Sequence, residues 1–140
     1  MDGASLPVRT RVLIADDHEI NRFVLARMLE ICGAVVVEAS SGAEAVRLAG
    51  LEAFDLVMLD LSMPRMGGDQ ALGLIREPGA LSRGALAVAV SADIAQEDRP
   101  RLTRAGFDRF IEKPLRTEDI QAVVGEAVGR RLRIGRGLGG

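Results

Sequence analysis

Three runs along the chain, Arg11-Val12-Leu13-Ile14-Ala15, Leu56-Val57-Met58-Leu59 and Leu86-Ala87-Val88-Ala89-Val90, are apolar without alternation. Runs of that kind predict strands covered on both faces, as in a parallel sheet between two layers of helix. Val35-Val36-Val37-Glu38-Ala39 predicts a shorter β-branched strand, and Arg109-Phe110-Ile111-Glu112 a fifth, less apolar one. Each strand is followed by helical spacing. Val24, Leu25, Met28, Leu29 and Cys32 share a face over Glu19 to Ile31, which Gly33 stops. Ala45, Val46, Leu48 and Ala49 do so over Ala43 to Leu51, after the turn residues Ser40-Ser41-Gly42, and Ala71, Leu72, Leu74 and Ile75 over Gln70 to Arg76, closed by Pro78-Gly79. Asp98 ahead of Arg99-Pro100 predicts an N-cap and an early-helix proline for a helix that runs to Ala105 and stops at Gly106. Thr117 predicts the cap of a last helix with Glu118 and Asp119 in its first turn and Ile120, Val123, Val124, Ala127 and Val128 on one face. Strand and helix alternate throughout, which implies an α/β fold: a doubly wound parallel sheet with right-handed crossovers.

Composition narrows the picture. A chain of 140 residues, 48% hydrophobic, suffices for one domain with one core. That domain is expected over 11–129, between a flexible leader at 1–10 and an Arg and Gly rich tail at 130–140, read as disordered. A net charge of -2 gives no electrostatic reason to expect nucleic acid or an anionic membrane as partner. The single cysteine, Cys32, excludes an internal disulfide and suits a reducing compartment, where it reads as a small core hydrophobe. No signal-peptide pattern opens the chain and no apolar run approaches bilayer-spanning length, so a cytoplasmic protein is expected.

The chemistry gathers where the strands end. Asp16 and Asp17 follow the first strand, Asp60 closes the third, Ser91 the fourth, and Lys113 follows the fifth. Open α/β sheets bind ligands at this carboxyl edge. Taken singly, each residue also has a plain structural role: Asp60 suits a cap on the next turn, and Lys113 a solvated surface. Of the 18 basic residues Lys113 is the one lysine, which suggests a position needing a compact ammonium where a planar guanidinium does not fit. Three carboxylates brought together repel by about 4 kcal/mol per pair at ~4 Å and an effective dielectric of ~20, so a cation belongs among them. All-oxygen ligands with room for water fit Mg²⁺, and Mg²⁺ with Lys113 then balances the three carboxylates. With Asp60 as nucleophile the set suffices for phosphoryl transfer, which needs positioning and charge stabilisation above all.

In these residues the chain resembles the receiver domain of two-component response regulators, from Arg11 to Val128. The resemblance rests on Asp16-Asp17, on Asp60-Leu61-Ser62-Met63-Pro64 with Gly67-Gly68 behind it, on Ser91-Ala92 and on Lys113-Pro114, in that order on successive strands. It implies a flavodoxin-like (βα)5 fold with strand order 2-1-3-4-5. It also implies that Asp60 accepts a phosphoryl group from a phosphohistidine of a histidine kinase or histidine phosphotransfer protein. Asp17, Asp60 and the backbone carbonyl of Ser62 would bind Mg²⁺, Asp16 would orient a metal-bound water, and Lys113 and Ser91 would contact the phosphoryl oxygens. A cis peptide bond is implied at Lys113-Pro114. Phosphorylation would draw Ser91 in and turn the aromatic Phe110 inward, changing the face of the fourth helix, fifth strand and fifth helix for a downstream output protein. Ser62 and Asp93 lie where family members tune hydrolysis of the acyl phosphate. The implied protein is a signalling switch whose substrate is its own carboxylate, a monomer or a phosphorylation-dependent dimer. Asn21-Arg22 in the first helix is similar to receivers of hybrid kinases.

Other classes fit less well. Phosphatases of the dehalogenase type place a second Asp two residues after the nucleophile, where this chain has Ser62, and no G-x-G-x-x-G follows the first strand as a dinucleotide binder requires. A receiver-like module that binds partners without phosphorylation remains the alternative. His18, beside the acidic pair, reads as a loop residue at the start of the first helix, and Arg99, Arg101, Arg104, Arg109 and Arg116 as a charged surface open to an acidic partner.

Overall fold

Apolar runs and helical stripes alternate in the folded chain as they do in the sequence. A computed structural model describes residues 9–139, with side chains as far as Leu132, so residues 1–8 of the leader expected over 1–10 lie outside the described residues. The order is β1 (Arg11–Ala15), α1 (Glu19–Ile31), β2 (Val35–Ala39), α2 (Gly42–Ala49), β3 (Leu56–Asp60), α3 (Gly68–Ile75), β4 (Leu86–Ser91), α4 (Arg99–Ala105), β5 (Arg109–Glu112) and α5 (Thr117–Gly139), with a 3₁₀ turn at Gln96–Asp98. The five strands form one sheet in the order β2-β1-β3-β4-β5, every pairing parallel, the flavodoxin-like arrangement.

Strand alternation divides the core in two. Leu13, Val57, Leu59, Ala87 and Ala89 point to one side and pack on Ala45 and Ala49 of α2, Ala71, Leu72 and Ile75 of α3 and Leu102 of α4. Val12, Ile14, Leu56, Met58, Val88 and Val90 point to the other and meet Leu25 and Leu29 of α1 and Ile120, Val123 and Val124 of α5. Cys32 is half-buried and packs against this second cluster. Every residue of β3 and β4 is buried, which is why those two runs carry no alternation. Among the described residues no helix is long and apolar enough to cross a membrane.

Besides shifts of one or two residues at the ends of α2 and α3, the structure departs from the sequence expectations at three boundaries. Thr10 is buried at 6% exposure and its carbonyl accepts a hydrogen bond from the Val35 amide, so ordered chain begins before Arg11. Asp98 makes no capping bond; it sits at φ -85°, ψ -20°, closing the 3₁₀ turn that feeds α4, and its amide donates to the Ala95 carbonyl. The tail expected to loosen at Arg130 instead continues α5. Arg130 Nη1 lies 3.3 Å from Asp108 Oδ2, and Arg131 Nη1 lies 3.2 Å from Asp55 Oδ2. Arginine is a good helix former, and these two meet carboxylates at the amino edge of the sheet that the sequence does not place beside them. Arg76, at the end of α3, joins the same corner, bonding Asp108 Oδ2 and the carbonyls of Ala85 and Gly106. Gly106 itself stands at φ +118°, the left-handed stop expected for α4.

Candidate functional site

β1 and β3 pair in register with Ala15 opposite Leu59, so the residues that come next emerge together at the carboxyl edge. Those residues are Asp16 and Asp60, buried at 4% and 5% exposure. Each carboxylate is fixed by its own loop: Asp16 Oδ1 accepts from the His18 amide and Asp60 Oδ1 from the Ser62 amide, both at 2.8 Å. The second oxygen of each faces the same cation, Lys113 Nζ, at 3.3 Å from Asp16 Oδ2 and 3.3 Å from Asp60 Oδ2. Burial of the Lys113 ammonium pulls its pKa down, but Asp60 and Asp16 outweigh that and hold it above the ordinary lysine value. Asp17 is exposed, and it brings a third carboxylate oxygen within 4.8 Å of the other two. His18 stands outside this group as the N-cap residue of α1.

The site therefore holds three carboxylates against one lysine, a formal excess of negative charge. Two of the three are buried, where such an excess is hard to sustain without a further cation. An all-oxygen donor set of this charge fits a hard divalent ion, Mg²⁺ above the softer metals.

The other expected residues sit around this group. Ser91 ends β4 at 5% exposure, and its carbonyl accepts from the Lys113 amide at 2.8 Å. Its hydroxyl is engaged with Asp93, accepting from the amide at 3.3 Å and donating to the carbonyl at 3.2 Å. The Lys113–Pro114 bond is cis. Ser62 is exposed in the loop after β3. Phe110 on β5 is half-buried, and the Arg99 guanidinium lies over its ring, 5.1 Å from the centroid. Of the other arginines near this face, Arg101 pairs with Asp69 and Arg109 with Glu126, so two of the five expected cationic residues are neutralised within the domain.

Two features around the site went unread in the sequence. A Cβ on Gly68 would lie 2.7 Å from the Asp60 carbonyl oxygen, so α3 begins hard against the backbone that carries the carboxylate. Glu112, expected only as a strand end, accepts a hydrogen bond from the Ile94 amide at 3.1 Å and ties β5 to the loop after Ser91. The Gly67-Gly68 pair was a visible signal for the first; nothing local marks the second.

Comparison with known proteins agrees with this geometry. The model of the response regulator receiver domain family matches residues 12–125. The sensor protein GacS of Pseudomonas syringae is 35% identical over 125 residues, 88% of this chain and 14% of that protein. Hybrid signal transduction histidine kinase L of Dictyostelium discoideum is 34% identical over 120 residues, 81% of this chain and 7% of that protein. This chain thus spans a small fraction of the kinases it matches. Among solved structures, the receiver domain of the sensor histidine kinase PA1611 from Pseudomonas aeruginosa, described with a magnesium ion in its active-site cleft, is 26% identical. It superposes with a TM-score of 0.78, over 87% of this chain and 99% of that one. Fold, carboxylate edge and family model agree: the chain belongs to the response regulator receiver domains of two-component signal transduction.

Proposed function

We propose that Asp60 accepts a phosphoryl group from a phosphohistidine of a histidine kinase or histidine phosphotransfer protein. The observation that carries this reading is the placement of a buried Asp60 carboxylate within 3.3 Å of Lys113 and within 4.8 Å of the carboxylates of Asp16 and Asp17. A carboxylate oxygen of Asp60 attacks phosphorus, an O–P bond forms as the donor's N–P bond breaks, and the electron pair returns to the imidazole. Lys113 neutralises charge on the transferring oxygens, and the Ser91 hydroxyl, once released from Asp93, donates to one of them. Asp17, Asp60 and the carbonyl of Ser62 would hold Mg²⁺, with Asp16 orienting its water, and the ion when bound would offset the negative charge of carboxylates and phosphoryl group.

The donor docks beside the site. Along α1, Ile20, Phe23 and Val24 are 68%, 56% and 45% exposed, more apolar surface than a solvated helix presents. A groove of about 230 Å³ lined by Asn21, Val24, Lys113, Pro114 and Leu115 continues this surface toward the carboxylates. The face of α4, β5 and α5 carries the response to an output protein, and the domain works in the cytoplasm.

Incubation with Mg²⁺ and acetyl phosphate, followed by intact-mass measurement, tests the proposal. The expected result is a gain of one phosphoryl group in the parent, abolished by EDTA and by Asp60→Asn. No gain in a parent that binds Mg²⁺ would leave a receiver-like interaction module that is silent to phosphorylation.

A further inference from the structure

Glu112 and Ser91 face each other across the β4–β5 pairing, and the loop that follows Ser91 runs over the end of β5. Alternation puts Phe110 and Glu112 on one side of β5, the side on which Ile94 packs into the core. Two contacts hold the loop to this strand. Glu112 Oε2 accepts from the Ile94 amide at 3.1 Å, and Arg99, where the loop enters α4, lies on the Phe110 ring. Between them, the Ser91 hydroxyl donates its one proton to the Asp93 carbonyl. While it does so it has none for an oxygen on Asp60. Turning Ser91 toward Asp60 gives up both of its bonds to Asp93, whose neighbour Ile94 is fixed by its buried side chain and by Glu112.

We infer that Glu112 is a positioning residue for Ser91: by holding the Ile94 amide it keeps the β4–α4 loop in the form that withholds the Ser91 hydroxyl, and so limits phosphoryl acceptance. The inference rests on the reading of Asp60 as acceptor. It assigns the hold to an accepting oxygen at this position and not to the negative charge beside Lys113. Glutamine keeps such an oxygen, whereas alanine removes it.

The test compares Glu112→Gln with Glu112→Ala in the full chain, using beryllofluoride with Mg²⁺ as the phosphoryl mimic and titration calorimetry as the readout. Alanine is expected to tighten binding about fivefold, the order of one ordinary hydrogen bond, and glutamine to stay within about twofold of the parent. In a Ser91→Ala background the two variants should bind alike, because the effect acts through that hydroxyl. Amide exchange at Ile94, read by NMR without the mimic, should quicken in the alanine variant and not in the glutamine variant. A parent that binds no beryllofluoride refutes the acceptor reading and this inference with it. A parent that binds, with Ala and Gln variants alike in affinity and exchange, refutes this inference alone, as does a gain that survives Ser91→Ala.

Discussion

Replacing Asp60 by Asn is expected to stabilise the metal-free protein, although it removes an ion pair. At an effective dielectric of ~20, the attraction between Asp60 and Lys113 at 3.3 Å is about 5 kcal/mol. Repulsion from Asp16 at 4.8 Å or less is at least about 3.5 kcal/mol, and exposed Asp17, screened by water, adds about 1 kcal/mol. These pair energies nearly cancel, so desolvation decides: holding a charged carboxylate at 5% exposure costs several kcal/mol in its own right. Asparagine retains an oxygen to accept the Ser62 amide bond, the one local contact that matters to the loop. The net gain is about 2 kcal/mol, or a rise in Tm of about 6 °C for a domain of this size. Thermal unfolding in EDTA at low ionic strength reads it directly. Mg²⁺ at ten times its Kd should then raise the parent by about 1.4 kcal/mol and Asp60→Asn by much less. An Asp60→Asn protein that melts at or below the parent in EDTA would refute the reasoning and make Asp60 a structural partner of Lys113.

Lys113→Met should lower Tm by an amount that depends on pH in a defined direction. The folded pKa of Lys113 is raised above 10.5, so the stability its charge contributes is fully present below the unfolded value and lost as pH rises through the folded one. Melting curves of parent and variant should therefore stay equally far apart from about pH 7 to about pH 9 and converge above about pH 10.5. Gly68→Ala, whose Cβ would meet the Asp60 carbonyl at 2.7 Å, should cost about 1–3 kcal/mol in denaturant unfolding and slow phosphoryl acceptance by displacing Asp60. Arg130→Ala should cost about 0.5–1 kcal/mol, since its pair with Asp108 is two-thirds shielded; no change in Tm would contradict the ordered continuation of α5.

The sheet was legible because burial on both faces leaves a local trace in β3 and β4, continuous apolar runs, while β1, β2 and β5 keep the bounds expected from the sequence. The site was legible for a related reason: parallel strands in register bring their ends together, so residues far apart in sequence could be assigned to one edge. At Asp60 the two oxygens divide their contacts, Oδ1 holding its own turn and Oδ2 facing Lys113. What was not legible depends on partners with no local signal. Arg130 and Arg131 look like tail residues until Asp108 and Asp55 are seen beside them. Glu112 looks like a strand end until the loop after Ser91 is seen to lie on it. Asp98 has the chemistry of a cap, but the tight turn at Gln96–Asp98 places its backbone in helical geometry, where its side chain makes no capping bond.

Phosphorylation by a phosphohistidine donor in Mg²⁺, trapped with borohydride and mapped by peptide mass spectrometry, tests the central claim most directly. Borohydride reduces an aspartyl phosphate to homoserine and leaves free carboxylates unchanged. The account predicts conversion at Asp60 alone, with none at Asp16 or Asp17 and none in Asp60→Asn. Conversion at another carboxylate, or phosphorylation that persists in Asp60→Asn, would contradict it.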